Sequence, residues 1–207
     1  MAARTLHPTT PVLSPQNPQQ WRTWLEAHHA SETGIWLIYY KKSAAQPTLT
    51  WSEAVDEALC FGWIDSQAKP LDAERYMQFF SPRKSRSGWS RVNKEKVARL
   101  TAAGRLAPAG QACIETARHN GSWTLLDAVE ALQLPDDLTE ALHQHPGAHA
   151  FFVGLSRSDQ RTLLQWLVLA KRPATRHSRL QAVVTRARQQ LRPLFLENQR
   201  KRPTPAD

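Results

Sequence analysis

The sequence predicts an α+β fold, with a small antiparallel sheet and packed helices in the N-terminal half and a helical C-terminal half. Short runs rich in aromatic and β-branched residues, which favour strands, lie before residue 82. From residue 91 onward apolar residues recur at helical spacing. With 207 residues the chain is long enough to bury a substantial core.

The first elements are a helix and a strand. Asn17 is a predicted N-cap, Pro18 occupies the first helical position, and Gln20 can close a capping box. The run IWLIYYKK, residues 35–42, is short and aromatic, which favours a strand.

The next helix starts at TWSE, where Thr50 and Glu53 form a capping box, and it ends near Gly62. Two strands follow, at about residues 63–67 and 75–81. They complete the small antiparallel sheet of the first half.

Helical signals follow in order. Asn93 is a predicted N-cap, Gly104 a predicted left-handed residue at the helix end, and residues 108–119 a second helix. Further helices are predicted after Pro135, from a capping box that runs from Ser156 to Asp159, and from Thr175 as the cap of the last helix.

The predicted organisation has four parts. Residues 1–16 form a flexible N-terminal segment, 17–124 an α+β domain, 125–192 a helical region and 193–207 a flexible tail.

Basic residues are concentrated in two segments, although the formal charge of the whole chain is only +9. Residues 81–105 carry eight basic side chains against one acidic, and residues 171–202 carry ten against one. The two segments would form a surface for a polyanion if the fold brought them together.

Several classes of protein are not indicated. The first 20 residues lack the apolar stretch of a secretory signal, and no apolar run approaches the roughly 20 residues of a membrane span. Two cysteines give no disulfide framework, and neither they nor the eight histidines have the spacing of a metal site. We therefore expect a cytoplasmic protein without a metal or cofactor.

Cys60 and Asp65 are the two candidates for chemistry. Cys60 falls at the end of a helix, where the dipole disfavours a thiolate, so a buried apolar role is the stronger interpretation. Asp65 shares a strand face with Trp63 and could bind a cationic group or orient Arg75 or Arg83; a structural ion pair is the alternative.

The loop at residues 81–90 is the best candidate for binding. It places Arg83, Arg86 and small hydroxyl residues beside Trp89, ahead of a helix whose first N–H groups can accept an anion. Among the tryptophans, Trp89 alone is framed by cations along the sequence. The alternative is a solvated basic loop in which Trp89 packs as an anchor.

A nucleic-acid-binding surface is a second hypothesis. It would use Lys84, Arg91, Lys94, Arg179 and Arg186 from the two basic segments against phosphates. The alternative is an amphipathic last helix whose basic face contacts only solvent.

Four strings together resemble the bacterial YdeI/OmpD-associated family, also called bacteriocin-protection proteins. They are GIWLIYYKK, WSEAVDEALCFGWIDSQAKPLD, FSPRKSRSGWSRVNKEKVARLTAAGRLAPAGQ and LLQWLVLAKRPATRHSRL. The resemblance implies a role in tolerance to bacteriocins or antimicrobial peptides. It implies no reaction and no catalytic residues.

These observations favour a non-enzymatic binding or stress-protection protein. Its ligand is expected to be a small anion or a peptide, held in a cleft between the two halves and lined by Asp65, Arg83, Arg86 and Trp89. The alternatives are the nucleic-acid-binding protein and an enzyme that uses Cys60 or Asp65, for which the sequence shows no complete catalytic set.

Overall fold

The fold is α+β, as predicted, in a computed structural model that describes residues 10–41, 44 and 49–192. The strands are β1 (Val12–Leu13), β2 (Ile35–Tyr40), β3 (Trp63–Pro70) and β4 (Arg75–Pro82). The helices are α1 (Pro18–His28), α2 (Trp51–Cys60), α3 (Arg91–Ala102), α4 (Pro108–His119), α5 (Asp127–Glu130), α6 (Asp136–His143), α7 (Pro146–Val153), α8 (Arg157–Val168) and α9 (Pro173–Arg188).

The four strands form one sheet in the order β1-β2-β4-β3. Strand β4 lies antiparallel to both β2 and β3, while the short β1 runs parallel to β2. The register places Tyr39 opposite Tyr76 and Asp65 opposite Phe80. Since side chains alternate between the faces of a strand, these four residues lie on one face of the sheet.

Helices α1 and α2 begin where their capping residues predict. The Asn17 side chain accepts a hydrogen bond from the Gln20 N–H at 2.9 Å. At the start of α2 the Thr50 hydroxyl accepts from the Glu53 N–H, and the Glu53 carboxylate accepts in return from the Thr50 N–H. The capping box therefore satisfies donors that the helix itself cannot.

Two predicted caps are wrong. Helix α3 begins at Arg91, so Asn93 is its third residue, whereas an N-cap precedes the helix. Helix α9 begins at Pro173 after Arg172, and Thr175 lies inside its first turn. Proline suits a first helical position because its φ is already helical and it has no N–H to satisfy.

The sequence analysis also missed two elements. Strand β1 lies in the N-terminal segment that was predicted to be flexible, and helix α7 begins at Pro146. Residues 1–9 and 193–207, the remainder of the two ends predicted to be flexible, lie outside the described residues.

The chain divides into two compact units. The first comprises the described residues of Met1–Ser87 together with Val92–Trp123, and the second comprises Gly88–Arg91 with the described residues of Thr124–Thr204. The first unit holds the sheet, and its fully buried side chains include those of Trp21, Leu25, Ile35, Leu37, Leu59 and Phe80.

The second unit is helical and has a core of its own. Helices α5 to α9 contribute its buried residues, which are Leu126, Val129, Leu138, Leu142, Ala148, Phe152, Leu163, Leu164, Leu167, Leu180, Val183, Val184 and Ala187. Ser156 caps α8 as predicted, since its hydroxyl accepts from the Asp159 N–H. Among the helices of the described residues, none has the length and apolar character needed to cross a membrane.

Candidate functional site

The segment ALCFGWID forms a tightly packed corner between α2 and β3. Gly62 takes a positive φ of +72°, which favours glycine, and its carbonyl accepts from the Arg83 N–H at 2.9 Å. Gly110 of α4 approaches the end of α2 so closely that a Cβ there would lie 2.2 Å from the Cys60 carbonyl oxygen. The corner thus brings α2, α4 and the end of β4 together.

Cys60 is a packed residue of this corner. Its side chain is fully buried, and burial raises the pKa of the thiol, to which the charge of Glu57 adds. Arg22 and Arg105 act in the opposite direction but do not outweigh burial. The thiol is therefore held in its neutral form, which is a poor nucleophile.

Acidic residues of α2 neutralise three cations of the first basic segment. Arg105 forms an ion pair with Glu57, which is 2% exposed and also pairs with Arg22 at 3.1 Å. Lys96 and Arg99 pair with Asp56 at 2.8 and 2.5 Å. Lys96, Arg99 and Arg105 thus form ion pairs with α2 within the first unit.

Asp65 lies half-buried on the sheet face that also carries Gln78. Its Oδ2 accepts hydrogen bonds from Trp51 Nε1 at 3.1 Å and from Gln78 Nε2 at 2.8 Å. Burial raises the pKa of the carboxyl, although both hydrogen bonds and the nearby charge of Arg83 oppose this shift. Trp63, on the same face as predicted, is buried and donates its Nε1–H to the His29 carbonyl.

Arg83 is also half-buried. Burial lowers the pKa of its guanidinium to about 10, while Cys113 and Asp65 favour the charged form. The side chain remains charged at neutral pH, close enough to Asp65 for each to affect the other.

Residues 84–87 form a rigid turn that we call the basic turn. The Ser87 N–H and hydroxyl both donate to the Lys84 carbonyl, at 2.9 and 2.8 Å. The Ser85 carbonyl accepts from Asn120 Nδ2 at 2.8 Å and from the Ser122 hydroxyl at 3.1 Å. Four hydrogen bonds therefore hold its backbone.

The side chains of Lys84 and Arg86 are exposed on this turn. Neither forms an ion pair with another residue in the described part of the chain. In this they differ from Lys96, Arg99 and Arg105 of the same basic segment.

Beside the basic turn lies Trp123, which the sequence analysis did not single out. Lys94 Nζ is 5.3 Å and the Arg118 guanidinium carbon 5.2 Å from the centres of its rings, distances typical of cation–π contacts. Lys94 comes from α3 and Arg118 from α4, so no local sequence pattern shows the arrangement. Trp89, expected to be framed by cations, is 1% exposed and belongs to the second unit.

Cations of the second basic segment engage groups of the second unit. Arg176 pairs with Asp137 at 2.7 Å, and Arg192 forms an ion pair with Asp159. Arg179 donates to the Trp166 carbonyl and lies over its ring, while Arg186 donates to the Arg192 carbonyl. Residues 193–202 of this segment lie outside the described residues.

Two further features bear on ligands. A pocket of about 200 Å³ lies beside α3 and α4, with Val97, Thr101, Ile114 and Arg118 among its lining residues. None of the predicted site residues lines it. Among the described residues, no group of three or more His, Cys, Asp or Glu side chains is placed to hold a metal ion.

Two family models match separate stretches of the chain. Residues 13–113 match a domain of unknown function (DUF8412), which includes the strings around ALCFGWID. Residues 131–190 match the family described as bacteriocin-protection, YdeI or OmpD-associated, which includes LLQWLVLAKRPATRHSRL. No curated protein and no solved structure matches the chain. The chain thus carries at residues 131–190 a domain of the YdeI/OmpD-associated, bacteriocin-protection family, which supports the resemblance at the last of its four strings, while the other three strings lie in the stretch that matches DUF8412.

Proposed function

We propose that the protein is a non-enzymatic binding protein that accepts an anionic ligand on the basic turn. The observation that carries the proposal is the exposure of Lys84 and Arg86 on a backbone held by four hydrogen bonds. The family description supports a protective role, in which this binding would contribute to tolerance of bacteriocins.

The rigidity of the turn favours binding. A loop that must become ordered when its ligand arrives loses affinity through the entropy of ordering. The backbone at Ser85 and Ser87 is already held in place, so this loss is small. Lys84 and Arg86 need not leave an internal carboxylate in order to meet an anion, whereas Lys96, Arg99 and Arg105 would.

Three of the predicted lining residues are too little exposed for direct contact with the anion. Arg83 and Asp65 are half-buried, and Trp89 is buried. Arg86 is the predicted lining residue with the exposure that direct contact requires. Arg83 would act by holding the end of β4 against Gly62, immediately before the turn.

A pair of double variants tests the proposal. Lys84→Ala with Arg86→Ala removes the exposed cations of the basic turn, and Lys171→Ala with Arg172→Ala removes two exposed cations of the second unit. Binding of pyrophosphate and of an acidic peptide is measured by calorimetry. We expect a loss of about tenfold or more for the first variant, about 1.4 kcal/mol, and little change for the second.

Both variants should keep the melting temperature of the original chain, because all four side chains are exposed. Equal loss of binding in the two variants would show that net charge alone attracts the anion. That result, or no binding by the original chain, would refute the proposed function.

A nucleic-acid ligand is the second candidate. The half-buried Trp123, with Lys94 and Arg118 over its rings, combines an aromatic surface and cations in the unit that carries the basic turn. Single-stranded nucleic acids are bound by this combination. A mobility shift of labelled RNA or single-stranded DNA would favour it, and no shift at low salt would remove it.

A further inference from the structure

A cluster of polar side chains lies on one face of the sheet, apart from the basic turn. Gln78 of β4 hydrogen-bonds to Asp65 of β3, and Tyr39 of β2 stacks on Tyr76 with ring centres 5.1 Å apart. The strand register puts all four on the same face: Tyr39 is opposite Tyr76, Gln78 lies two positions further along β4, and Asp65 is opposite Phe80, two positions beyond Gln78. We call Asp65, Gln78 and Tyr39 the acceptor cluster.

Two members of the acceptor cluster have unused hydrogen-bonding atoms. Tyr39 is 1% exposed and Gln78 is 2% exposed. In the described part of the chain, neither the Tyr39 hydroxyl nor the Gln78 Oε1 has a hydrogen-bond partner. Buried polar atoms are almost always paired, so two unpaired atoms on one face of the sheet are candidates for hydrogen bonds with a ligand.

The hydrogen bond from Gln78 to Asp65 indicates what kind of ligand suits the acceptor cluster. An ionised carboxylate only accepts, so Gln78 must turn its NH₂ toward Asp65, which leaves Oε1 as an acceptor. The Tyr39 hydroxyl oxygen can accept as well. Burial raises the pKa of Tyr39, so the phenol is neutral. A ligand with two or more N–H donors would satisfy Gln78 Oε1 and the Tyr39 hydroxyl oxygen together.

Charge points to the same chemistry. Asp65 brings a negative charge into a half-buried position, where the charge of Arg83 offsets part of it. The rings of Tyr39, Tyr76 and Trp51 lie around the acceptor cluster, and aromatic faces attract cations. Asp65, Trp51 and Tyr76 keep some exposure to solvent, whereas Tyr39 and Gln78 are buried, so a ligand would enter from the side of Asp65.

We propose that Asp65, Gln78 and Tyr39 form a binding site for an organic cation that carries a primary ammonium or guanidinium group. The cation donates to the Asp65 carboxylate, to Gln78 Oε1 and to the Tyr39 hydroxyl oxygen, and an aromatic ring packs against it. This site uses neither Lys84 nor Arg86 of the basic turn.

Calorimetric titration tests the site with three probes: agmatine, a short peptide containing arginine, and propionamide as a neutral donor. Asp65→Asn should weaken binding of the cations about tenfold or more, because a charge-assisted contact is lost. Tyr39→Phe should weaken binding of the cations about threefold, because the hydroxyl is lost. The substitution leaves the ring stacked on Tyr76. Glu115→Gln, which removes an exposed carboxylate elsewhere in the same unit, serves as the matched control and should bind as the original chain does.

The two cationic probes distinguish a free amine from a peptide side chain as the ligand. Binding of agmatine indicates a free amine as the ligand, and binding of the peptide alone indicates a side chain of a basic peptide. Either result supports the site if Asp65→Asn weakens that binding about tenfold or more and Glu115→Gln does not, and unchanged binding by Asp65→Asn would refute it. Failure of both cations to bind the original chain at millimolar concentration would refute the site, as would equal binding of propionamide. Near-ultraviolet circular dichroism of each variant confirms that it is folded.

Discussion

At the scale of single residues, Gly110 shows how closely α4 approaches the end of α2. A Cβ at this position would lie 2.2 Å from the Cys60 carbonyl oxygen and 2.7 Å from the Cys60 carbonyl carbon. Because both are backbone atoms, a side chain could be accommodated only if the two helices moved apart. The sequence shows a glycine in a helix but not what lies against it.

We predict that Gly110→Ala lowers the free energy of unfolding by about 1–3 kcal/mol, the usual cost of overpacking. Gly147→Ala is the matched control, since Gly147 also lies in a helix and has no atom within 4 Å of the position of a Cβ. There alanine should stabilise by roughly 0.5–1 kcal/mol. Urea denaturation measures both, and equal effects would contradict the close approach.

The raised pKa of Asp65 predicts how stability depends on pH. The folded protein holds the Asp65 proton above the ordinary carboxyl pKa of 3.8, at which the unfolded chain releases it. Stability therefore falls as pH rises from about 3.8 through the folded pKa of Asp65. Asp65→Asn, which can still accept from Trp51 and Gln78, should be more stable than the original chain at pH 7, and the gain should vanish below about pH 3.

Asp72→Asn is the control with the opposite sign. Arg75 holds the pKa of Asp72 below its ordinary value, so the ion pair stabilises above that value and loses its effect as pH falls. Melting temperatures across pH distinguish the two variants. If Asp65→Asn lost stability at neutral pH, the interpretation of Asp65 as a carboxylate destabilised by burial would be wrong.

At the scale of elements, α2 is the helix that ties the first unit together. Its Asp56 forms ion pairs with Lys96 and Arg99 of α3. Its Glu57 forms ion pairs with Arg22 of α1 and with Arg105, which precedes α4. Two adjacent acidic residues thus connect α2 to three other parts of the chain.

Glu57→Gln should lower the free energy of unfolding by about 2 kcal/mol, because two charge-assisted contacts of a buried carboxylate are lost. Glu26→Gln removes only the exposed partner of Arg22 in an i,i+4 pair, and should cost less than about 0.5 kcal/mol. Denaturant unfolding of the two variants provides the comparison. A cost at Glu57 no larger than at Glu26 would show that the buried pairs contribute little.

Elements with a local signal were predicted from the sequence, whereas elements that depend on distant contacts were missed. The caps Asn17, Thr50 and Ser156 were predicted because each contacts a backbone N–H three residues ahead. Strand β1 was missed because two residues carry too little pattern, and its hydrogen bonds are made to β2, more than 20 residues away. Asn93 and Thr175 were taken as caps although helices had already begun before them.

At the scale of the whole molecule, the arrangement of charge limits how the protein can bind a polyanion. Lys96, Arg99 and Arg105 are paired in the first unit, and Arg176 and Arg192 in the second. The cations gathered around the basic turn and Trp123 are Lys84, Arg86, Lys94 and Arg118. Fewer cations can therefore contact a polyanion at one place than the net charge of +9 suggests.

If single-stranded DNA binds there, the logarithm of the binding constant should fall with the logarithm of salt concentration with a slope of about −3, since each phosphate contact contributes roughly −0.7. Fluorescence titrations between low and physiological salt measure the slope. A slope of about −10 would show that both basic segments take part, and Lys84→Ala with Arg86→Ala should reduce it by about one unit or more.

By itself the sequence determined the α+β class, the position of most helices and strands, the family resemblance and the presence of a basic loop before α3. These depend on periodicity, on capping residues and on motifs that neighbouring positions contain. Packing of Cys60 was also predicted, because its place at the end of a helix and its small size are local properties.

Only the tertiary structure decided which charged and polar groups are satisfied. Asp56 and Glu57 neutralise cations about 40 or more residues away, Asn120 and Ser122 hold the basic turn, and the Tyr39 hydroxyl and Gln78 Oε1 are left unpaired among the described residues. Periodicity identifies which face of an element is buried. Hydrogen bonds and ion pairs depend on distances of a few ångströms between parts of the chain that only folding brings together.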